Sequence, residues 1–98
     1  MDTHFQLQGL SFIWNAKKAK ANIVNHDGIS FEQAAEAFFD PFMRLVDASR
    51  QDEARDALIG FDMRGTLLFV VHIVIEDEAI RIISARSATV KERQYYDQ

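Results

Sequence analysis

Nine consecutive residues, Leu67 to Ile75, form an apolar run interrupted by one polar side chain, His72. A strand with one wet face alternates apolar and polar residues; a run without alternation has to be covered on both sides. The run is too short to span a membrane, which takes about 20 apolar residues as a helix, and its Phe, Val and Ile content favours extended backbone. A chain of 98 residues that contains such a segment must therefore build a sheet around it, with this strand in a central position.

The neighbours can be read on either side. Arg55 to Met63 places Ala57, Ile59 and Phe61 on one face, and Arg64-Gly65 turns it into the central run. After a charged turn, Glu76-Asp77-Glu78, the stretch Ala79 to Ala85 returns as a strand. Its alternation puts Ile80, Ile82 and Ser84 on one face and Arg81, Ile83 and Ala85 on the other, with Arg86 at the strand end. Met43 to Asp47 reads as a further strand, followed by a polar link, Ala48 to Glu53. Phe12-Ile13-Trp14 is a short strand, and the first ten residues add either an edge strand or a loose arm.

Helix signals stand between and after these strands. Asn15 is placed as an N-cap before Ala16, Ala19 and Ile23, and Asp27-Gly28 stops that helix because glycine accepts a left-handed conformation. Ser30-Phe31-Glu32-Gln33 is a capping box opening a second helix with Phe31, Ala34, Ala35 and Phe38 on one face, ended at Asp40-Pro41. Thr89-Val90-Lys91-Glu92 is a second capping box, opening a short helix that ends near Tyr96. The expected architecture is α+β: two N-terminal helices packed on a mainly antiparallel sheet of about four to five strands, with a short C-terminal helix.

Composition bounds the function. Hydrophobic residues at 48% and charged residues at 27% suit one folded domain over residues 1–98. The absence of cysteine excludes disulfides, thiolate metal sites and Cys nucleophiles, and suits a cytoplasmic protein. Met1 to Leu10 shows neither a basic nor an apolar region of a signal peptide, and no membrane segment is expected. A net charge of −4 argues against a generic nucleic-acid binder, but the charge is unevenly spread. Residues 1–26 and 79–98 each sum to +2, whereas residues 27–78 hold four Arg against twelve acids, a net −8. The ends can form a local anion site while the middle faces something basic; solvated faces sorted by chance would give the same numbers.

His4, His26 and His72 stand too far apart for a metal motif, and no nucleotide-binding glycine loop or serine-hydrolase motif is present, so neither metal nor cofactor is expected. What remains suits metal-free cleavage of RNA through its own 2′-OH. That reaction needs a base, an acid and cations to meet the phosphorane's charge, and arginine meets phosphate with a forked, permanently charged donor set. Arg81 and Arg86 on or after the last strand, Arg55 opening another, His26 and Tyr96 are candidates. Each also has a structural reading: strand arginines form surface ion pairs, His26 can meet helix C-terminal carbonyls, and Tyr96 can simply pack.

From about Leu10 to Tyr96 the ordered features resemble the BrnT family of toxins. The resemblance is carried by Trp14-Asn15, Lys18, Asn22, His26, Gly28-Ile29-Ser30-Phe31-Glu32, Ala35, Phe38 and Asp40-Pro41. It continues through Glu53-Ala54-Arg55, Ile59-Gly60, Gly65, Ile80-Arg81-Ile82-Ile83-Ser84-Ala85-Arg86, Ala88-Thr89, Glu92-Arg93 and Tyr96. It implies a RelE-like fold and a metal-independent endoribonuclease that inhibits translation. It also implies a hetero-oligomer with a BrnA-like antitoxin, whose ribbon-helix-helix domain alone carries the contact to operator DNA. Residues 1–9 are then an N-terminal extension. Carried over by position, Arg86 and Arg55 are phosphate clamps, His26 or Glu53 the proton carrier, Tyr96 a further catalytic candidate, and Lys18 and Arg81 RNA-backbone contacts. The chain departs from the family pattern at Ser49-Arg50, where His-Ser is usual, at His72 and Ile75, where Tyr and Arg are frequent, and at Asp27, an extra residue before Gly28. These departures leave a second reading open, a catalytically degenerate protein that acts only by binding its antitoxin.

Overall fold

The computed structural model describes residues 1–75 and 79–98; the Glu76-Asp77-Glu78 turn lies outside them. The chain runs β1 (Asp2–Leu7), β2 (Leu10–Asn15), α1 (Ala16–Asn25), α2 (Phe31–Glu36) with a 3-10 turn over Ala37–Phe39, β3 (Arg44–Asp47), β4 (Asp56–Phe61), β5 (Leu67–Val74), β6 (Ile80–Ser87) and α3 (Val90–Tyr96). The sheet has six strands in the order β1-β2-β6-β5-β4-β3. β5, the apolar run, lies between β6 and β4, inside the sheet as its pattern requires.

The α+β class holds, with two corrections. The sheet has six strands rather than four to five, because the first residues join it: β1 pairs along its whole length with β2. Gln8 and Gly9 connect them with φ of 47° and 87°, a two-residue turn with both central residues left-handed. Gln-Gly is a weak form of that turn signal. Phe5 then packs on Trp14 and Phe12, with ring centroids 5.6 and 6.5 Å apart. The sheet is also mixed, since β2 runs parallel to β6 where they meet. The two helices expected near the N-terminus are present, but they follow this hairpin, and the second tightens into the 3-10 turn.

The main core fills the space between the sheet and α2. Phe12, Trp14, Ile29, Phe31, Leu58, Leu68, Val70, Ile82 and Ala85 are buried together, and Ala34, Ala35 and Ala37 let α2 and its 3-10 extension sit close to the strands. Gly60 is required by that approach: a Cβ there would lie 2.8 Å from the Ala37 carbonyl oxygen. Buried Ile59 and Leu67 belong to the opposite sheet face, where α3 packs its Tyr96 ring edge-on to Phe61 at 5.3 Å.

Caps decide the local geometry. Asn15 caps α1 by accepting from the Lys18 amide. Two left-handed residues end α1, Asp27 with φ 54° and, as expected, Gly28 with φ 81°, and the Gly28 amide closes back on the Ile23 carbonyl at 2.9 Å. Only half of the Ser30 capping box forms: Ser30 accepts from the Gln33 amide, but the Gln33 side chain donates to Asp62 instead, at 2.7 Å. The Thr89–Glu92 box is complete. On α1 the expected apolar stripe fails at Ile23, which is 43% exposed, and the buried residue is Asn22.

Candidate active site

β6 is held by β2 only at Ile80 and Arg81. Beyond that point its edge would present unpaired backbone groups, which are costly when buried. Helix α1 closes the gap with one side chain. Asn22 donates to the Ala85 carbonyl at 2.8 Å, accepts from the Ala85 amide at 3.0 Å, and donates to the Ile29 carbonyl at 3.0 Å. Asparagine mimics a strand neighbour because its amide carries a donor and an acceptor side by side. Lys18, Asn22 and His26 repeat at four-residue spacing, so they form one stripe along this edge.

The second determinant is a bulge in β6. Val71 pairs with Ser84 and His72 with Ile82, so Ile83 is an extra residue opposite the break. The simple alternation expected from sequence is corrected here: Ile82 and Ala85 both turn into the core. Arg81, Ser84 and Arg86 all fall on the opposite face, in register with Ile73, Val71 and Phe69. Without the extra residue, Arg81 and Arg86 would lie on opposite faces. Arg44 and Arg55 share the same face, through pairing with Ile59 and through Ala48. Three strand arginines, and Arg55 just before β4, thus lie on one side of a sheet in a chain whose net charge is −4.

On that side lies a cleft of about 270 Å³ lined by His26, Ala48, Arg50, Arg55, Val71, Ser84 and Arg86. Three sequence candidates from three separate elements, His26, Arg55 and Arg86, meet there. Ser84 and Arg50 were not expected. Ser84 needed the bulge, and Arg50 was visible only as a departure from the family pattern. The link after β3 is a tight turn: Arg50 and Glu53 exchange backbone bonds at 3.1 and 2.8 Å. Ser49 Oγ donates to Asp47 at 2.6 Å and accepts from the Arg55 amide at 3.2 Å. This holds Arg50 and Arg55 at the cleft's rim.

Of the cleft's three arginines, Arg86 and Arg55 already have a carboxylate. Arg86 lies over the Phe69 ring, 4.2 Å from its centroid, and its two terminal nitrogens each donate to Glu92 at 2.8 Å. One of them also donates to the Ser87 carbonyl. Arg55 donates through Nε to exposed Glu53 at 2.7 Å. Arg81 pairs with Asp2 of β1 at 3.1 Å and does not line the cleft. Tyr96 is not brought to the cleft either. Its hydroxyl donates to Asp40 at 2.6 Å beside Phe61, and burial followed by that carboxylate pushes its pKa up to about 12. Lys18 is exposed on α1, two turns before His26. Among the described residues no three His, Asp or Glu side chains are grouped as a metal site would need.

The Glu92 carboxyl is held below its ordinary value of 4.5, first by the Arg86 fork and despite burial. A depressed carboxylate gives stability that is fully present above its unfolded value and is lost as pH falls through the folded one. The docking of α3 is therefore expected to be constant from neutral pH down to about 5 and to loosen below about 4. Glu92→Gln should remove the part of the acid melting profile that depends on this pair; an identical acid limb in the variant would show that the pair adds nothing.

Fold and cleft define an α+β protein with an arginine-rich sheet face and a small cleft that brings His26 together with Arg50, Arg55 and Arg86. Residues 14–92 match the family model described as the ribonuclease toxin BrnT of type II toxin–antitoxin systems, and the chain belongs to this family. The matched residues include Lys18, His26, Glu53, Arg55, Arg81 and Arg86 and end at Glu92, so β1 and Tyr96 lie outside them. No curated protein matches the chain. Among the described residues, no helix is long and apolar enough to cross a membrane.

Proposed function

We propose that this chain is an active, metal-independent endoribonuclease toxin with a RelE-like fold, and that the His26–Arg55–Arg86 cleft is its reaction site. The observation that carries the reading is this convergence of one imidazole and three guanidinium groups, with Arg50 beside Arg55 and Arg86, on a single cleft. The 2′-oxygen of a ribose attacks the adjacent phosphorus, and the bond from phosphorus to the 5′-oxygen breaks. His26, or Glu53 at the rim, takes the 2′-hydroxyl proton, and a protonated group returns one to the leaving oxygen. Arg86 and Arg55 meet the charge that builds on the phosphoryl oxygens. Lys18, exposed on α1, and Arg81 are the RNA-backbone contacts of this reading, supported by their charge. Tyr96 serves this reading as the anchor of α3 on Asp40.

Cleaving translated RNA in the cytoplasm would stop protein synthesis, and a BrnA-like antitoxin of the ribbon-helix-helix type would neutralise the toxin and bring the pair to operator DNA. Incubation of purified chain with RNA tests the chemistry. Cleavage is expected to survive excess chelator and to leave 2′,3′-cyclic phosphate ends or their hydrolysed form. Activity that disappears with chelator and returns with magnesium would sink the mechanism.

One observation favours the second reading, a degenerate toxin that only binds its antitoxin: Arg55, Arg81 and Arg86 are each paired with a carboxylate. Under that reading, expression without a partner leaves growth unaffected while the partner still co-purifies.

A further inference from the structure

The strand β3 ends the sheet, and its outer edge is open. The Ala48 amide donates to the Arg55 carbonyl. Antiparallel pairs alternate between bonded and non-bonded, so Val46 and Arg44 spend their backbone groups on β4, while Leu45 and Asp47 direct theirs away from the sheet. No described residue takes them up. Edges of folded proteins are usually blunted by charge, proline or a covering element. This four-residue strand has a charge at each end, Arg44 and Asp47, but it also shows apolar side chains: Leu45 is 55% exposed, and Phe42, just before the strand, is 74% exposed. The apolar surface continues past the strand's start into a cleft of about 280 Å³ lined by Phe39, Pro41, Phe61 and Met63, with Glu36 at its side.

The charge around this edge is acidic. Asp47 stands directly opposite Asp56 on the last rung of the β3–β4 pair, a like-charge pairing that costs stability unless a cation approaches. The Phe39–Met63 cleft adds Glu36, Asp40 and Asp62, while Arg44 belongs to the opposite face of the sheet. A basic segment laid along β3 would relieve the pairing of Asp47 with Asp56. Leu45 and Asp47 do not line the His26–Arg86 cleft, which begins after β3 at Ala48 and Arg50, so a segment along Leu45 lies beside the cleft rather than in it.

We infer that β3 is the docking edge for the antitoxin: an extended segment of the partner adds as a seventh strand, sets apolar side chains over Leu45 and Phe42 and into the Phe39–Met63 cleft, and places Lys or Arg beside Asp47 and Asp56. Main-chain bonds give such an added strand its affinity, and the alternate side chains give it specificity. The inference rests on the toxin–antitoxin reading above, since it supplies the partner.

The test uses the full chain co-expressed with the small protein encoded beside its gene. Leu45→Pro removes the outward amide without removing a bond to β4, a position where an edge strand tolerates proline. It is expected to weaken the complex by at least about tenfold, and the Leu45 and Asp47 amides of the unsubstituted chain should gain exchange protection when the partner binds. Val24→Lys, on an exposed position of α1, should leave affinity unchanged, and both variants should keep the melting temperature of the free chain within a few degrees. A complex that forms with unprotected Leu45 and Asp47 amides, and that Leu45→Pro leaves intact, overturns the docking edge while the toxin–antitoxin reading stands. Failure of any neighbour-encoded protein to bind removes the partner and the edge's role together. A free chain that is a dimer, dissociated by Leu45→Pro, would give the edge to a second copy and overturn the assignment.

Discussion

Arg86→Ala is expected to lower RNA cleavage by at least about a hundredfold, the usual effect of deleting a donor that acts mainly on transition-state charge. The same substitution frees Glu92, so a structural cost accompanies it. The pair is bidentate but partly exposed, which limits its worth to about 1 kcal/mol, or roughly 4–8 °C in a chain of this size. The two effects are separable because Glu92→Gln breaks the same ion pair and leaves Arg86 in place over Phe69. That variant should melt about as low as Arg86→Ala and still cleave RNA. Arg86→Lys keeps a charge but not the fork, and should recover stability more fully than activity. If Arg86 only pins α3, cleavage will follow melting temperature alike in all three variants. An Arg86→Ala protein with full activity removes this residue from the site.

The largest effect on stability is expected at Asn22. Its side chain is 5% exposed and makes all three of its hydrogen bonds to backbone groups, two of them to Ala85 of β6. Asn22→Leu keeps a similar volume but leaves the Ala85 amide and two carbonyls without partners beneath an apolar side chain. Each orphaned group costs about 1–3 kcal/mol, so a loss of about 3–5 kcal/mol is expected, a large share of the 5–15 kcal/mol that holds a small protein folded. Chemical denaturation measures it, and the exchange rate of the Ala85 amide should rise with it. A loss below about 1 kcal/mol would mean that water or a shifted strand satisfies the edge, and that α1 does not hold β6 as described. The variant also tests positioning. Should enough folded protein remain, cleavage ought to fall further than the folded fraction, because His26 follows Asn22 by one turn and Ser84 and Arg86 flank its partner.

The class of fold could be read from the chain because its signals are local. The unbroken apolar run Leu67–Ile75 asks for a central strand, and β5 is one. Thr89 and Glu92 carry a complete capping box in four residues, and α3 begins where they say. His26, Arg55 and Arg86 stood out by residue type and by the order of features they share with a family, and the three meet in one cleft. The sequence did not determine how they would meet. Nothing local marks Ile83 as the extra residue of a bulge, because a bulge is a mismatch between two strands and belongs to neither alone. That mismatch decides that Arg81 and Arg86 share a face. Asn22 reads as an ordinary helix residue until β6 parts from β2 and leaves an edge that only an amide side chain can close. Tyr96 and Arg81 have side chains suited to the chemistry, but tertiary partners hold them outside the cleft, at Asp40 and at Asp2. Short-range propensity and patterning thus fixed which elements form. Pairing between residues as far apart as Asn22 and Ala85, whose free energy exists only once the chain is folded, decided which of the charged groups became a site.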